Sequence, residues 1–423
     1  PIDTSGDESE DTAQAYAEET ANPETHTLFA APRDSERTEV DVKLVKMAPL
    51  NDSQVAQLAS AWGVEDVSGF VTALTEGDLE MFAARPRDLE WLGAYWQEHS
   101  AFGDLAEMID LNVNQKLREQ NLTHIERDEP LSPERARQGI EALAAASILC
   151  ERPMVALPEP EFEADPAPRS LRPREVLPDW SDREIRALLT RGVFDPATFG
   201  RVRFHHPMIL DYLTACWMAT RVAKGQRLVK VRDLVLRESF GRTRPVPSKR
   251  MVLGWLAAMI PAIRREIITV APDVLLYCGD ARQVPVEERG QALRALAARL
   301  RDTRTSDWAV FDSDVLRIVD LGLAPVIREL LGTEDDNYEI TRLLLRMVML
   351  QRLSECADLA LAISTDDHRH DSIRIEAARA VTRAGSPEQQ TTLLRYAQNV
   401  ESLSNRLLGG FCDALFPEVI SVP

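Results

Sequence analysis

The residues best equipped for chemistry in this sequence lie in Arg201–Ala219, which reads R-V-R-F-H-H-P-M-I-L-D-Y-L-T-A-C-W-M-A. Val202 and Phe204 read as the end of a short strand, and Pro207 suits the first position of a helix, where its missing N–H would be an orphan anyway. Ile209, Leu210, Leu213, Cys216 and Trp217 follow at helical spacing, which predicts one buried face. His205 and His206 therefore stand at a strand-to-helix junction, where side chains and free helix N–H groups can meet an anion. A second cluster, Asp366-Asp367-His368-Arg369-His370-Asp371, has metal-ligating residue types. Its place in an inter-helix turn, with Arg369 in the middle, reads instead as a solvated loop and helix cap. The sequence has no G-x-x-x-x-G-K-[ST], G-x-S-x-G, H-E-x-x-H or C-x-x-C, so no catalytic constellation is read.

Phe204-x-His206-x-x-x-x-Asp211-Tyr212-Leu213-x-Ala215 resembles the F-x-H-(x)4-E-Y-L-x-A signature that closes the winged-helix domain of NACHT-type STAND ATPases. Asp211 stands where the family has Glu, and Pro207 where it has Arg or Lys. The resemblance implies that His206 reads the β-phosphate of ADP and helps hold a closed resting state. Arg85-Pro86-Arg87-Asp88-Leu89 is similar to the family's R-P-x-x-L element, which implies Arg85 and Pro86 at the nucleotide, with the proline packed on adenine. The residue-level reading of Pro86 is a helix N1 position. Met47-Ala48-Pro49-Leu50, after the strand-like Val40, Val42, Leu44 and Val45, resembles the end of a nucleotide-binding core.

The elements that must position these residues fit a mainly α chain with several domains. Residues 1–37 are acidic and poor in large apolar side chains, and read as a flexible segment. Residues 38–50 read as the last strand of a core, 51–125 as a helical lid, 126–220 as a winged helix with wing strands at Val193-Phe194 and Val202–Phe204, and 221–290 as a helical linker. The proline-rich run from Arg152 to Pro178 reads as a long exposed loop. Within the linker helix follows helix, and the segment Val246 to Arg265 carries Trp255, Leu256, Met259 and Ile260. Leu275-Leu276-Tyr277-Cys278-Gly279-Asp280 superficially resembles a Walker B strand, but without a phosphate loop Gly279 reads as a helix C-terminal residue and Asp280 as a cap.

Residues 291–423 carry a repeat. Ile340, Leu343, Leu344 and Met347 mark one helix and Ile373, Ala377, Ala380, Val381 and Ala384 the next like it, with Leu403, Leu407, Phe411 and Leu415 opening a third unit. Asp371-x-Ile373-Arg374-x-x-Ala377-Ala378-x-x-Val381 resembles a HEAT repeat, so an α-solenoid is expected.

The formal net charge of −19 weighs against a general nucleic-acid surface. About half of it lies in residues 1–40, where eleven acids face Arg33 and Arg37. The five scattered cysteines read as small buried hydrophobes, and no apolar run approaches the roughly 20 residues of a membrane span, so a cytoplasmic chain is expected. The order lid, winged helix, repeats resembles the part of a NACHT-type STAND ATPase downstream of its Walker motifs. That implies ADP/ATP with Mg only in the full-length protein, a protein trigger on the repeats, homo-oligomerisation on activation and a role in antiphage defence. The rival expectation is a HEAT-type interaction scaffold that never meets nucleotide.

Overall fold

The computed structural model describes residues 48–77, 79–118, 131–158, 170–197, 200–302, 312–333, 337–398 and 403–420, and these are mainly helical. The expected flexible segment 1–37 and most of the strand 38–50 lie outside the described residues. Side-chain caps set the first helices. Asn51 opens α1 (Asp52–Ala61) with a reciprocal box, its Oδ1 accepting the Gln54 N–H at 3.0 Å while Gln54 accepts from the Asn51 N–H at 3.1 Å. Gly63, at φ +89°, turns the chain toward α2 (Val67–Glu76), and a short α3 (Glu80–Ala83) follows. Pro86 occupies the first turn of α4 (Pro86–His99) after the extended Arg85, and Asp104 caps α5 (Leu105–Leu117). Phe70, Phe82, Leu89, Leu92, Met108 and Ile109 form the core of this region.

Next come α6 (Pro133–Leu149), β1 (Met154–Ala156), β2 (Ser170–Leu171), α7 (Pro173–Val176), α8 (Asp182–Leu189), β3 (Phe194–Ala197), β4 (Arg201–Phe204) and α9 (Pro207–Ala223). The strands form one sheet in the order β2-β1-β4-β3, parallel between β1 and β2 and antiparallel elsewhere. Phe194 lies opposite Phe204, with ring centroids 4.7 Å apart. The expected loop at 152–178 is thus partly structured: Val155 and Leu171 alternate inward on strands too short to show a period. The buried face of α9 also differs from expectation. Met208, Ile209, Tyr212, Leu213, Ala215 and Met218 are buried while Leu210, Cys216 and Trp217 are half-buried, because α9 packs on both α6 and α11 (Arg250–Met259).

The stretch 221–290 is not helical throughout. After α10 (Leu228–Val235), β5 (Leu236–Ser239) and β6 (Arg242–Pro245) form a hairpin. Pro261 then separates α11 from α12 (Pro261–Val270). In α13 (Pro272–Tyr277) the apolar part of the run resembling a Walker B strand, Leu275–Tyr277, is helical. Gly279 follows at φ +72°, and Asp280 accepts the Arg282 N–H at 3.0 Å and the Ala106 N–H of α5 at 3.2 Å.

The rest is α14 (Val286–Asp302), α15 (Asp312–Ile318), α16 (Ala324–Leu331), α17 (Tyr338–Leu350), α18 (Ala357–Thr365), α19 (Asp371–Ala384), α20 (Pro387–Ala397) and α21 (Asn405–Leu415). α19 packs on α17, α18 and α21, and like helices start 33 residues apart from Tyr338 to Asp371 and 34 from Asp371 to Asn405. Buried arginines tie helix ends together. Arg289 donates to the Ile318 carbonyl at 2.7 Å and to Asp320, and Arg374 donates to the Ser364 carbonyl at 3.2 Å and to Asp367 at 2.9 Å. Among the described residues no helix is long and apolar enough to cross a membrane.

Candidate functional site

The two histidines are held where β4 runs into α9. The His205 backbone N–H and its ring Nδ1 both lie 3.0 Å from the Val193 carbonyl. Since a carbonyl only accepts, the ring proton sits on Nδ1 and Nε2 is left as an acceptor. Lys116 Nζ meets that Nε2 at 2.6 Å. His206 is the N-cap of α9, and its Nδ1 accepts the Met208 N–H at 3.1 Å, which puts the proton of the neutral ring on Nε2. Phe82 stacks on that ring with centroids 4.8 Å apart. The two rings are 4% and 5% exposed, and burial pushes both down to about 4. Lys116 assists at His205 and Arg85 at His206, so both are uncharged at neutral pH.

The surrounding charges come from α4 and α5. Lys116 also donates to Asp88 Oδ1 at 2.7 Å, and Asn112 Nδ2 donates to the same oxygen at 3.1 Å. Burial raises Asp88, but the Lys116 charge and these hydrogen bonds outweigh it and hold the carboxylate below its usual range. Arg85, half-exposed ahead of Pro86, reaches Asp195 on β3 at 3.3 Å. A cavity of about 30 Å³, room for about two waters, lies against Asp88, Asn112 and Lys116. Asn112 Oδ1 is buried there without a hydrogen-bond partner among the described residues.

Of the three residues expected at a nucleotide, Arg85 and His206 lie close enough for the guanidinium to depress the imidazole, while Pro86 is exposed at the start of α4. The helix N-terminus itself is less open than expected, because the His206 ring takes the Met208 N–H that an anion would use. The His206 Nε2–H and the half-exposed Arg85 keep donor capacity, but His206 is only 5% exposed and the 30 Å³ cavity does not admit a phosphate. Asp211 is half-buried with no partner among the described residues, and burial pushes it up to about 7.

Sequence reasoning missed Asp88, Asn112 and Lys116. Their signal was a polar pair at i and i+4, Asn112 and Lys116, on the face that carries Leu105, Met108, Ile109 and Val113. Leu111, on the opposite side of the same helix, is 38% exposed. At the acidic loop, the His370 Nδ1 caps α19 by accepting the Ser372 N–H, Asp366 accepts the His368 N–H, and Asp367 is held by Arg374 and Tyr396. The loop is therefore a cap and an arginine clamp. Among the described residues no group of three or more His, Cys, Asp or Glu could hold a metal ion.

Comparison with protein-family models, with curated proteins and with solved structures finds no match to this chain.

Proposed function

We propose that this chain is the regulatory and sensing part of a NACHT-type STAND ATPase, in which 51–125 is the lid, 126–220 a winged helix and 291–423 a solenoid of HEAT-like repeats. The observation that carries the reading is that Arg85, paired with Asp195 of β3, and His206, beside the Lys116 acceptor His205, are 121 positions apart in sequence yet flank one polar network joining α4 and α5 to the β3–β4 hairpin. The four-stranded sheet among α6, α8 and α9 supports the winged helix, and the succession α17, α19, α21 supports the solenoid. In the whole protein, ADP would be held between this part and a nucleotide-binding core, with the His206 Nε2–H and Arg85 toward its phosphates. A protein trigger on the repeats would favour an open state that exchanges nucleotide and oligomerises.

The experiment is to express the gene's complete reading frame and quantify the nucleotide that co-purifies, with His206→Ala and Arg85→Ala beside the parent. Loss of retained ADP in both variants supports the reading. A reading frame without a phosphate loop, or ADP retention unchanged by both, refutes it. The second reading, an interaction scaffold without nucleotide, is favoured by one observation: His206 already has a structural task as the cap of α9.

A further inference from the structure

The β5–β6 hairpin carries two features that work against its own folding. Phe240 and Gly241 form its two-residue turn at φ +52° and +68°, the backbone that favours Asn, Asp or Gly at both positions. A phenylalanine there is strained, and at 98% exposure its ring packs on nothing. The register also sets Arg237 directly opposite Arg244 and Ser239 opposite Arg242, so three arginines share one face of the hairpin. Like charges directly opposite destabilise a strand pair. All three are exposed, and none has a partner among the described residues. The surroundings amplify this: from Arg221 to Arg250 the chain holds ten lysines and arginines against Asp233 and Glu238, inside a protein of net charge −19.

We infer that this hairpin is a nucleic-acid-binding arm, its arginine face lying along a phosphate backbone and Phe240 stacking on a base. The chain-wide negative charge weighs against a general nucleic-acid surface but not against a local arm, because charges beyond about 8–10 Å are screened at physiological salt. Positions two apart on a strand are about 6.8 Å apart, close to the rise of two phosphates on one nucleic-acid strand. Guanidinium forks pair bidentately with phosphate oxygens. A lone ring flanked by Ser239, Gly241 and Arg242 reaches one base deep, which suits stacking; insertion into a bilayer would call for apolar neighbours that the tip does not have.

The test is fluorescence polarisation of the 423-residue chain with labelled single-stranded DNA and RNA of about 20 nucleotides and with duplex DNA, at about 50 and 200 mM salt. With three phosphate contacts, single-strand binding should weaken about 20-fold between those salts. Phe240→Asn should weaken it by about 5- to 150-fold. Asn suits the turn, so the melting temperature should hold or rise, a split that a merely structural role would not give. Combined Arg237→Gln, Arg242→Gln and Arg244→Gln should flatten the salt dependence. No binding to any of these oligonucleotides, or binding that neither variant weakens, overturns the proposal. Binding to phosphatidylglycerol-containing vesicles with none to oligonucleotides also overturns it, in favour of a membrane contact.

Discussion

His206→Asn should remove a defined part of the protein's sensitivity to acid. The free ring titrates at 6.5 and the buried one at about 4, so between these values the unfolded chain binds a proton that the folded chain refuses. Stability from this group is complete above the unfolded value and is lost as pH falls from 6.5 toward 4. Worked through the linkage relation, the loss on going from about pH 8 to about pH 5 is about 2 kcal/mol for His206, and His205 adds a similar amount. Asp211 opposes them. Its folded value of about 7 lies above the unfolded 3.8, so it favours the folded state by about 2.5 kcal/mol over the same interval, and the net profile of the parent is shallow. The informative quantity is therefore a difference between variants. The asparagine side chain would still accept the Met208 N–H but would not titrate. Chemical denaturation of parent and variant at several pH values should give a stability difference that shifts by about 2 kcal/mol in the variant's favour from pH 8 to pH 5. Parallel curves would refute the assignment of His206 as a buried neutral cap.

Lys116→Met should cost about 3–5 kcal/mol by stranding the buried Asp88 carboxylate, and adding Asp88→Leu should recover at least half of that; denaturant midpoints decide it, and a double variant no better than the single would count against the pairing. Gly254→Ala should destabilise by about 3 kcal/mol, because its Cβ would stand 2.3 Å from the Cys278 carbonyl oxygen, a backbone atom that cannot swing aside. Gly409→Ala, in the exposed middle of α21 with nothing within 4 Å, should instead stabilise by about 0.5–1 kcal/mol, so equal effects on melting at the two glycines would contradict the packing described.

Helices were legible in this sequence where caps and apolar period agreed. Asn51 ahead of Val55 and Ala59, and Ser132-Pro133 ahead of Ile140 and Leu143, combine a cap with an apolar period, and α1 and α6 start at those caps. The strands were less so. β1 and β2 are three and two residues long, below the length at which alternation can be seen, and they sit among prolines that read as loop. The β5–β6 hairpin escaped because its turn is Phe-Gly, outside the Asn-Gly and Asp-Gly pairs that mark such turns. At the candidate site, His206 was legible from its place between strand and helix. Its partners were not, because hydropathy assigns Asp88, Asn112 and Lys116 to the surface. Only the tertiary approach of α4, α5 and the β3–β4 hairpin makes their burial tolerable by pairing them.

That pairing determines how the junction can come apart. An apolar contact such as the stack of α17, α19 and α21 weakens gradually as area is exposed. The contact of α5 with the β3–β4 hairpin rests instead on Lys116, 14% exposed, which meets the neutral His205 there while its carboxylate partner Asp88, 4% exposed, sits on the neighbouring α4. Parting α5 from the hairpin would leave the Lys116–Asp88 pair intact and cost Lys116 only its neutral acceptor, whereas parting α5 from α4 would strand a buried charge. Protonation of His205 would set a second positive charge against Lys116 and weaken this contact of α5 with the hairpin.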